Sequence, residues 1–407
     1  LGYVDVYSAD ISSTYTLTVN LSGAWSLSTL RFSSEANIRV VISDAASPVA
    51  ARHIETLILN GNNGGSKVTL TQTSIDLIQG GRAVDAITVG SGAITTIDGR
   101  DGNDVFKTGT GYVGSILGGN GNDTLTTGAG NIGAVVMGEG NDTVTLGSGG
   151  VESIATGGGN DTVTGTSGQA GIVDTNAGDG ADKIDLGSGG ASAVSLSDGD
   201  DAITLSMLDF ASDKVMIDGG SGSDAVSFAR FDAGVAISLA SSAKADTGKG
   251  IFILTGFENV TGGAGSDLLT GNSGANVIDG GKGNDTIRGY AGSDTLTGWA
   301  GIDTFVFNTA LNVATNVDTI TDFSVVADTI ELDNAIFTAL TATGPLAPSA
   351  FKDMDAGPID ASDRIIYKLS TGNLYYDADG SGAASASVKF AQIANHATLT
   401  AADFVVI

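Results

Sequence analysis

The chain of 407 residues holds 61 glycines but only 4 prolines, and 41% of it is hydrophobic, a balance that suits glycine-turned β structure and excludes a Gly/Pro-rich disordered polymer. Its formal charge of −28 excludes partners recognised through phosphate, nucleic acid and anionic lipid alike, and makes metal cations the natural counter-charge. With no cysteine there is no disulfide or thiolate ligand, and no run of about 18 apolar residues suggests a membrane span.

In chain order, residues 1–80 are rich in Thr, Ser, Val, Leu and Ile, with alternation in TYTLTVNL, NIRVVISD and IETLILNG. They predict strands, read as solenoid turns without metal loops, with a loop at residues 44–52 around Pro48. In residues 81–227 an aspartate recurs at Asp85, Asp104, Asp123, Asp142, Asp161, Asp182, Asp201 and Asp224, in steps of 19, 19, 19, 19, 21, 19 and 23. An apolar residue stands seven positions before it in six turns (Ile97, Ile116, Val135, Ile154, Val194, Ile217), and another two positions after it (Phe106, Leu125, Val144, Val163, Ile184, Ile203, Val226). These two ladders predict the facing halves of a narrow core in a flattened β-solenoid. Each turn then carries one Asp loop and one Asp-free glycine loop such as KTGTGY or TTGAGN.

Residues 228–261 interrupt the repeat as a strand-rich connecting segment that includes GFEN. Residues 262–306 are five unbroken nine-residue units, GGAGSDLLT, GNSGANVID, GGKGNDTIR, GYAGSDTLT and GWAGIDTFV. Residues 307–407 change character, running through VDTITDFS, DTIELDN and DRIIYKLSTGNLYYDADGSG to LTAADFVVI, and predict a β-rich cap.

The nine-residue unit carries a mechanism. Glycines at its first, second and fourth positions let the backbone turn tightly and aim carbonyls inward, and the sixth-position Asp adds a charged oxygen. Ca²⁺ takes six to eight oxygen ligands in loose geometry, which such a loop offers. The candidate carboxylate ligands are Asp104, Asp123, Asp142, Asp161, Asp182, Asp201, Asp224, Asp267, Asp285, Asp294 and Asp303, with Asn276 supplying an amide oxygen in its unit. Candidate carbonyl ligands stand at the first and third positions of the four perfect copies: Gly118 and Asn120, Gly219 and Ser221, Gly262 and Ala264, Gly280 and Lys282. At Asp85, where Val84 adjoins and the middle glycine is missing, a plain turn is expected. Asp377 and Asp379 in DADGSG fit either a metal-ligand pair or a polar β-turn. Stacked at about 4.8 Å, neighbouring carboxylates repel by roughly 1 kcal/mol in water and several times more at an effective dielectric near 20, so calcium binding and folding are expected to be coupled.

The unit resembles the RTX, or haemolysin-type, calcium-binding repeat, which implies an all-β fold: a right-handed parallel β-helix or β-roll with several bound Ca²⁺ ions. The last hundred residues resemble the C-terminal module of serralysin-type proteins exported by type I secretion, whose signal often ends in an acidic residue followed by hydrophobic ones, matched here by Asp403, Phe404, Val405, Val406 and Ile407. That resemblance implies a protein secreted from a Gram-negative bacterium, with the type I machinery as a partner. Catalytic signatures are missing: His53 and His396 are the only histidines and neither starts H-E-x-x-H, and there is no G-x-S-x-G, Walker loop or dinucleotide fingerprint. The expectation is a non-enzymatic, calcium-folded structural or cell-surface protein of surface-layer, filament or adhesin type, self-assembling outside the cell. The alternatives are the exported tail of a larger enzyme or toxin, and a carbohydrate-binding solenoid, for which no aromatic row is evident.

Overall fold

Alternating apolar residues place one face of each segment in a core, and parallel strands need a return path for every addition. Coiling meets both needs, with each turn adding a strand to each of two sheets. The computed structural model describes residues 3–8, 15–21, 25–34, 38–44, 52–61, 65–166, 172–187, 191–206, 214–240, 244–246, 251–380 and 386–407. The loop expected at residues 44–52 falls mostly outside them. Among the described residues the chain is all-β apart from two single 3-10 turns, Pro348–Ala350 and Ala401–Asp403, so no helix is long and apolar enough to cross a membrane. It forms two compact units, residues 1–208 with 220–222, and residues 209–219 with 223–407.

In the first unit one sheet runs through Tyr3–Ser8, Trp25–Ser34, Arg52–Gly61, Ser74–Gln79, Ile94–Asp101, Val113–Asn120, Ile132–Glu139, Val151–Gly158, Ile172–Asp179 and Ala191–Ser195. Each strand pairs in parallel with the next. The other sheet runs through Tyr15–Leu21, Ile38–Asp44, Ser66–Leu70, Ala86–Thr88, Val105–Lys107, Thr124–Thr126, Thr143–Thr145, Thr162–Thr164, Lys183–Asp185 and Ala202–Thr204, again all parallel. Pairing in register carries Ile97 onto Ile116, Val135 and Ile154. It also carries Phe106 onto Leu125, Val144, Val163, Ile184 and Ile203. All ten are buried, each contributing roughly 1.5–3 kcal/mol of hydrophobic stabilisation. The Asp-free turns are held by backbone bonds between coils, Gly111 N–H to Gly90 O at 3.0 Å and Gly130 N–H to Gly109 O at 2.9 Å. Thr108 and Thr127 Oγ1 accept from Gly128 and Gly147 N–H at 3.0 and 2.7 Å.

The second unit repeats the plan with a shorter coil. One parallel stack is Leu268–Thr270, Thr286–Arg288, Thr304–Phe307, Thr329–Leu332 and Phe404–Val406. The other is Ala225–Ser227, Asn259–Thr261, Val277–Asp279, Thr295–Thr297, Asp318–Ile320 and Val388–Ile393. Leu269, Ile287 and Phe305 face the core from one stack, Ile278 and Leu296 from the other. Within the connecting segment Lys244–Asp246 pairs antiparallel to both Ala236–Ser238 and Ile251–Thr255. The unit closes with the antiparallel strands Ile365–Lys368, Asn373–Tyr376 and Val388–Ile393, over edge-to-face contacts of Phe337 with Phe390 and Tyr376. Phe404 and Val406 are buried, and Asp403 Oδ2 accepts from Thr400 N–H at 2.6 Å, so the acidic residue closes a capped 3-10 turn that leads into an integral strand.

Candidate metal centre

Each column aspartate stands immediately before a short strand or, at Asp318, opens it, two residues ahead of the core side chain that fixes the strand. Its position in the fold therefore follows from the apolar ladder. In the first unit Asp104, Asp123, Asp142, Asp161, Asp182 and Asp201 are at most 1% exposed. Each carboxylate's Oδ1 accepts the backbone N–H of the aspartate one turn earlier. The bonds run from Asp85 N to Asp104, Asp104 N to Asp123, Asp123 N to Asp142, Asp142 N to Asp161, Asp161 N to Asp182 and Asp182 N to Asp201, all at 2.6–2.7 Å. The second unit has two such columns: Asp267, Asp285, Asp303 and Asp328 joined at 2.8, 2.9 and 3.0 Å, and Asn276, Asp294 and Asp318 joined at 2.8 and 3.1 Å. Asp224, also buried, donates its N–H to Glu258 Oε2 at 2.9 Å.

The second carboxylate oxygen is different. Oδ2 of Asp104, Asp123, Asp142, Asp161 and Asp182, and of Asp285, Asp294 and Asp303, is buried with no hydrogen-bond partner. An ionised oxygen left so costs several kcal/mol unless a cation answers it. Beside it lies a carbonyl of the next turn. A Cβ added to Gly99 would meet Asp104 Oδ2 at 2.4 Å and Gly118 O at 2.6 Å; one added to Gly118 would meet both Asp123 Oδ2 and Met137 O at 2.3 Å. In the second unit a Cβ on Gly280 would meet Asp285 Oδ2 at 2.5 Å and Gly298 O at 3.0 Å. The first-position glycine thus keeps clear a pocket walled by acceptors from two turns. Third-position carbonyls are already engaged once, since Asn120 O and Ser221 O accept Gly102 and Gly199 N–H at 2.8 Å. A carbonyl's second lone pair stays available. Among the described residues no three His, Cys, Asp or Glu side chains converge on one point, so a cation here takes one or two carboxylates and completes its shell with main-chain oxygens. An all-oxygen, mixed-denticity donor set fits Ca²⁺ and not a metal preferring nitrogen or sulfur.

Burial is the main force on these groups. It pushes the Asp104, Asp142, Asp182 and Asp285 carboxyls up to about 7, with the neighbouring column carboxylates adding repulsion. Burial also raises Asp123, Asp294 and Asp303 to about 6, and Asp161, Asp201 and Asp267 in the same direction. Backbone donors to the carboxylates oppose these shifts without cancelling them.

Not every column position has this form. Asp85 Oδ1 and Oδ2 accept Ser66 and Gly81 N–H at 2.6 and 2.7 Å, the plain turn expected there. Asp267 Oδ1 and Oδ2 accept Val235 and Gly263 N–H at 2.8 and 2.6 Å. Asn276 Oδ1 accepts Asn272 N–H at 2.8 Å, while its Nδ2 donates to Glu258 O at 2.8 Å. Asp377 and Asp379 do come together, with Asp379 N–H donating to Asp377 Oδ1 at 3.1 Å, the bond of a polar turn.

Sequence reading passes over three column members, Glu258, Asp318 and Asp328. Their signal was the carboxylate two residues ahead of Val260, Ile320 and Ile330, without the glycines. It also passes over a second ladder on the exposed side of the same loops. Asn103, Asn122, Asn141 and Asn160 Oδ1 accept N–H of Asn122, Asn141, Asn160 and Ala181 at 2.8–2.9 Å. Trp299 and Tyr290, in second-position glycine sites, take left-handed φ of 64° and 70°. Trp299 is 68% exposed, its Nε1 donating to Asp279 Oδ2 at 2.8 Å.

Comparison with known proteins agrees with this chemistry. The family model of the RTX calcium-binding nonapeptide repeat matches four stretches, residues 108–131, 146–169, 254–287 and 270–305, lying in both units. No curated protein matches the chain. The matched stretches are RTX calcium-binding nonapeptide repeats set in an all-β parallel solenoid, and Ca²⁺ is the ion they call for.

Proposed function

We propose that this protein is a secreted, non-enzymatic RTX solenoid that folds on meeting extracellular Ca²⁺ and serves as a structural or surface element of surface-layer, filament or adhesin type. The observation that carries the reading is the buried carboxylate column: its charges oppose folding where calcium is scarce and stabilise the fold where calcium is plentiful. A chain so built stays loose in the cytosol and stiffens outside. The strand Phe404–Val406, buried in the folded unit, supports the same order of events. In a type I export signal at residues 403–407, Phe404 and Val406 would be reachable only before that strand docks, so export by the secretion machinery would precede folding. Solenoid ends carry strand edges that can pair with another copy, a physical route to assembly.

The test is a Ca²⁺ titration of chelator-treated protein followed by circular dichroism and light scattering together. β signal and ordered assemblies rising at the same calcium concentration support the structural role. Folding to a monomer favours an exported tail of a larger enzyme or toxin. No change in either signal removes calcium-coupled folding altogether.

A further inference from the structure

The column loops fall into two backbone states, and the states do not follow the glycine motif. In the eight loops whose Oδ2 has no partner, the residue four before the carboxylate has left-handed φ. It is Arg100 (79°), Gly119 (116°), Gly138 (108°), Gly157 (108°) or Gly178 (93°) in the first unit, and Gly281 (91°), Tyr290 (70°) or Trp299 (64°) in the second. In four others the residue at that place is Gly81, Gly263, Asn272 or Ser324, none of which has positive φ. There its N–H turns into the loop and donates to the side-chain oxygen, at 2.7 Å to Asp85, 2.6 Å to Asp267, 2.8 Å to Asn276 and 2.8 Å to Asp328. The amide occupies the place where a cation would sit, and the opposite oxygen of each carboxylate is taken by another backbone N–H. Asn276 is closed further, its Nδ2 bound to Glu258 O and Asn272 Oδ1.

We infer that only the open loops bind calcium, and that Asp85, Asp267, Asn276 and Asp328 are metal-free positions sealed by a backbone amide of their own loop. Their places support this. Asp85 precedes the column of the first unit and bonds back to Ser66, which takes the column position of the turn before it; Asp267 begins its column and bonds back to Val235. Asp328 ends the same column; Asn276 lies inside its column, between Glu258 and Asp294, and is closed there by its own uncharged amide. An ion shared by two turns needs oxygens from both, and at an end one set is missing, so an N–H answers the carboxylate instead. The consequence inverts the motif ranking. The perfect repeat Gly262–Thr270 holds no ion at Asp267, whereas the imperfect loops at Asp104, Asp294 and Asp303 do. Calcium binding is the only premise, and the assembly proposed above can fail without touching it.

The experiment compares Asp267→Asn with Asp303→Asn and Asp294→Asn in the full chain, measuring bound Ca²⁺ per molecule by equilibrium dialysis at saturation, with circular dichroism to verify the fold. Asparagine keeps the Oδ1 acceptor used by Val235, Asp285 or Asn276 N–H. Asp267→Asn should bind as much calcium as the unaltered protein, and each open-loop variant at least one ion fewer. A lower stoichiometry in Asp267→Asn overturns the assignment, as does an unchanged stoichiometry in both open-loop variants. Should one open-loop variant fail to fold, the other decides its arm.

Discussion

Replacing Asp142 by asparagine should stabilise the calcium-free protein and destabilise the calcium-bound one. Asp142 lies between Asp123 and Asp161, its Oδ1 holds Asp123 N–H at 2.6 Å, and its Oδ2 has no partner. Burial first, and the two neighbouring charges after it, raise its carboxyl to about 7 from an ordinary 3.8. At 1.36 kcal/mol per pK step, keeping it ionised at neutral pH has an upper cost of about 4 kcal/mol, which we discount to about 2 kcal/mol because the loop borders water. Asparagine retains the acceptor for Asp123 and removes the charge, so in chelator the folded state should gain about 2 kcal/mol. In calcium the variant lacks one carboxylate ligand. A site filled at a hundred times its Kd contributes about 2.7 kcal/mol, and that contribution is lost. Denaturant midpoints at neutral pH, with chelator and with saturating Ca²⁺, should therefore move in opposite directions. A shift of the same sign in both conditions would refute the claim that the charge opposes the apo fold and sustains the holo fold.

Three further outcomes follow from the same geometry. Gly118→Ala introduces a Cβ 2.3 Å from both Asp123 Oδ2 and Met137 O; Gly118 has no positive φ, so the harm is steric, and calorimetry should show weakened calcium binding at that turn. The apo protein should lose stability as pH rises. Carboxyls held at about 6 to 7 in the folded state against 3.8 otherwise bind more protons folded than unfolded, so their contribution is full below about 4 and gone above about 7. Melting temperatures in calcium-free buffer should fall across that window and rise across it when calcium is present. Asn141→Ala removes the acceptor of Asn160 N–H at 2.8 Å on the exposed side of the loop. It should cost about 1 kcal/mol by chemical denaturation and leave calcium stoichiometry unchanged.

The apolar ladders and the aspartate column were legible because both depend on spacing alone. A side chain two residues after Asp104 must point inward once the strand is placed, and Phe106 does. Glu258, Asp318 and Asp328 obey the same spacing but lack the glycines of the nine-residue unit, which the column itself does not require. The open or sealed state of a loop was not legible at all. Glycine permits either sign of φ, so Gly119 and Gly263 look alike in sequence yet end on opposite sides, while Arg100, Tyr290 and Trp299 accept a left-handed φ that costs a non-glycine residue roughly 1 kcal/mol or more. What decides is the neighbouring turn, and a nine-residue motif contains only half of the site.

That division of each site between turns also shapes how calcium is taken up. Every Oδ1 in the run from Asp104 to Asp201 anchors the backbone of the preceding aspartate, so ordering one loop fixes the amide from which the next is built. Filling one site also removes part of the repulsion that raises its neighbours' carboxyls. Both effects make the next ion bind more readily, and a stack coupled only to nearest neighbours responds as a one-dimensional cooperative chain. The β signal should therefore rise with Ca²⁺ more steeply than a single-site isotherm. Asp142→Asn, which keeps the Oδ1 acceptor but removes an ion site from the middle of the run, should flatten the curve more than Asp104→Asn, which removes one at the end. Equal slopes for the two variants would mean that the turns fill independently of their neighbours.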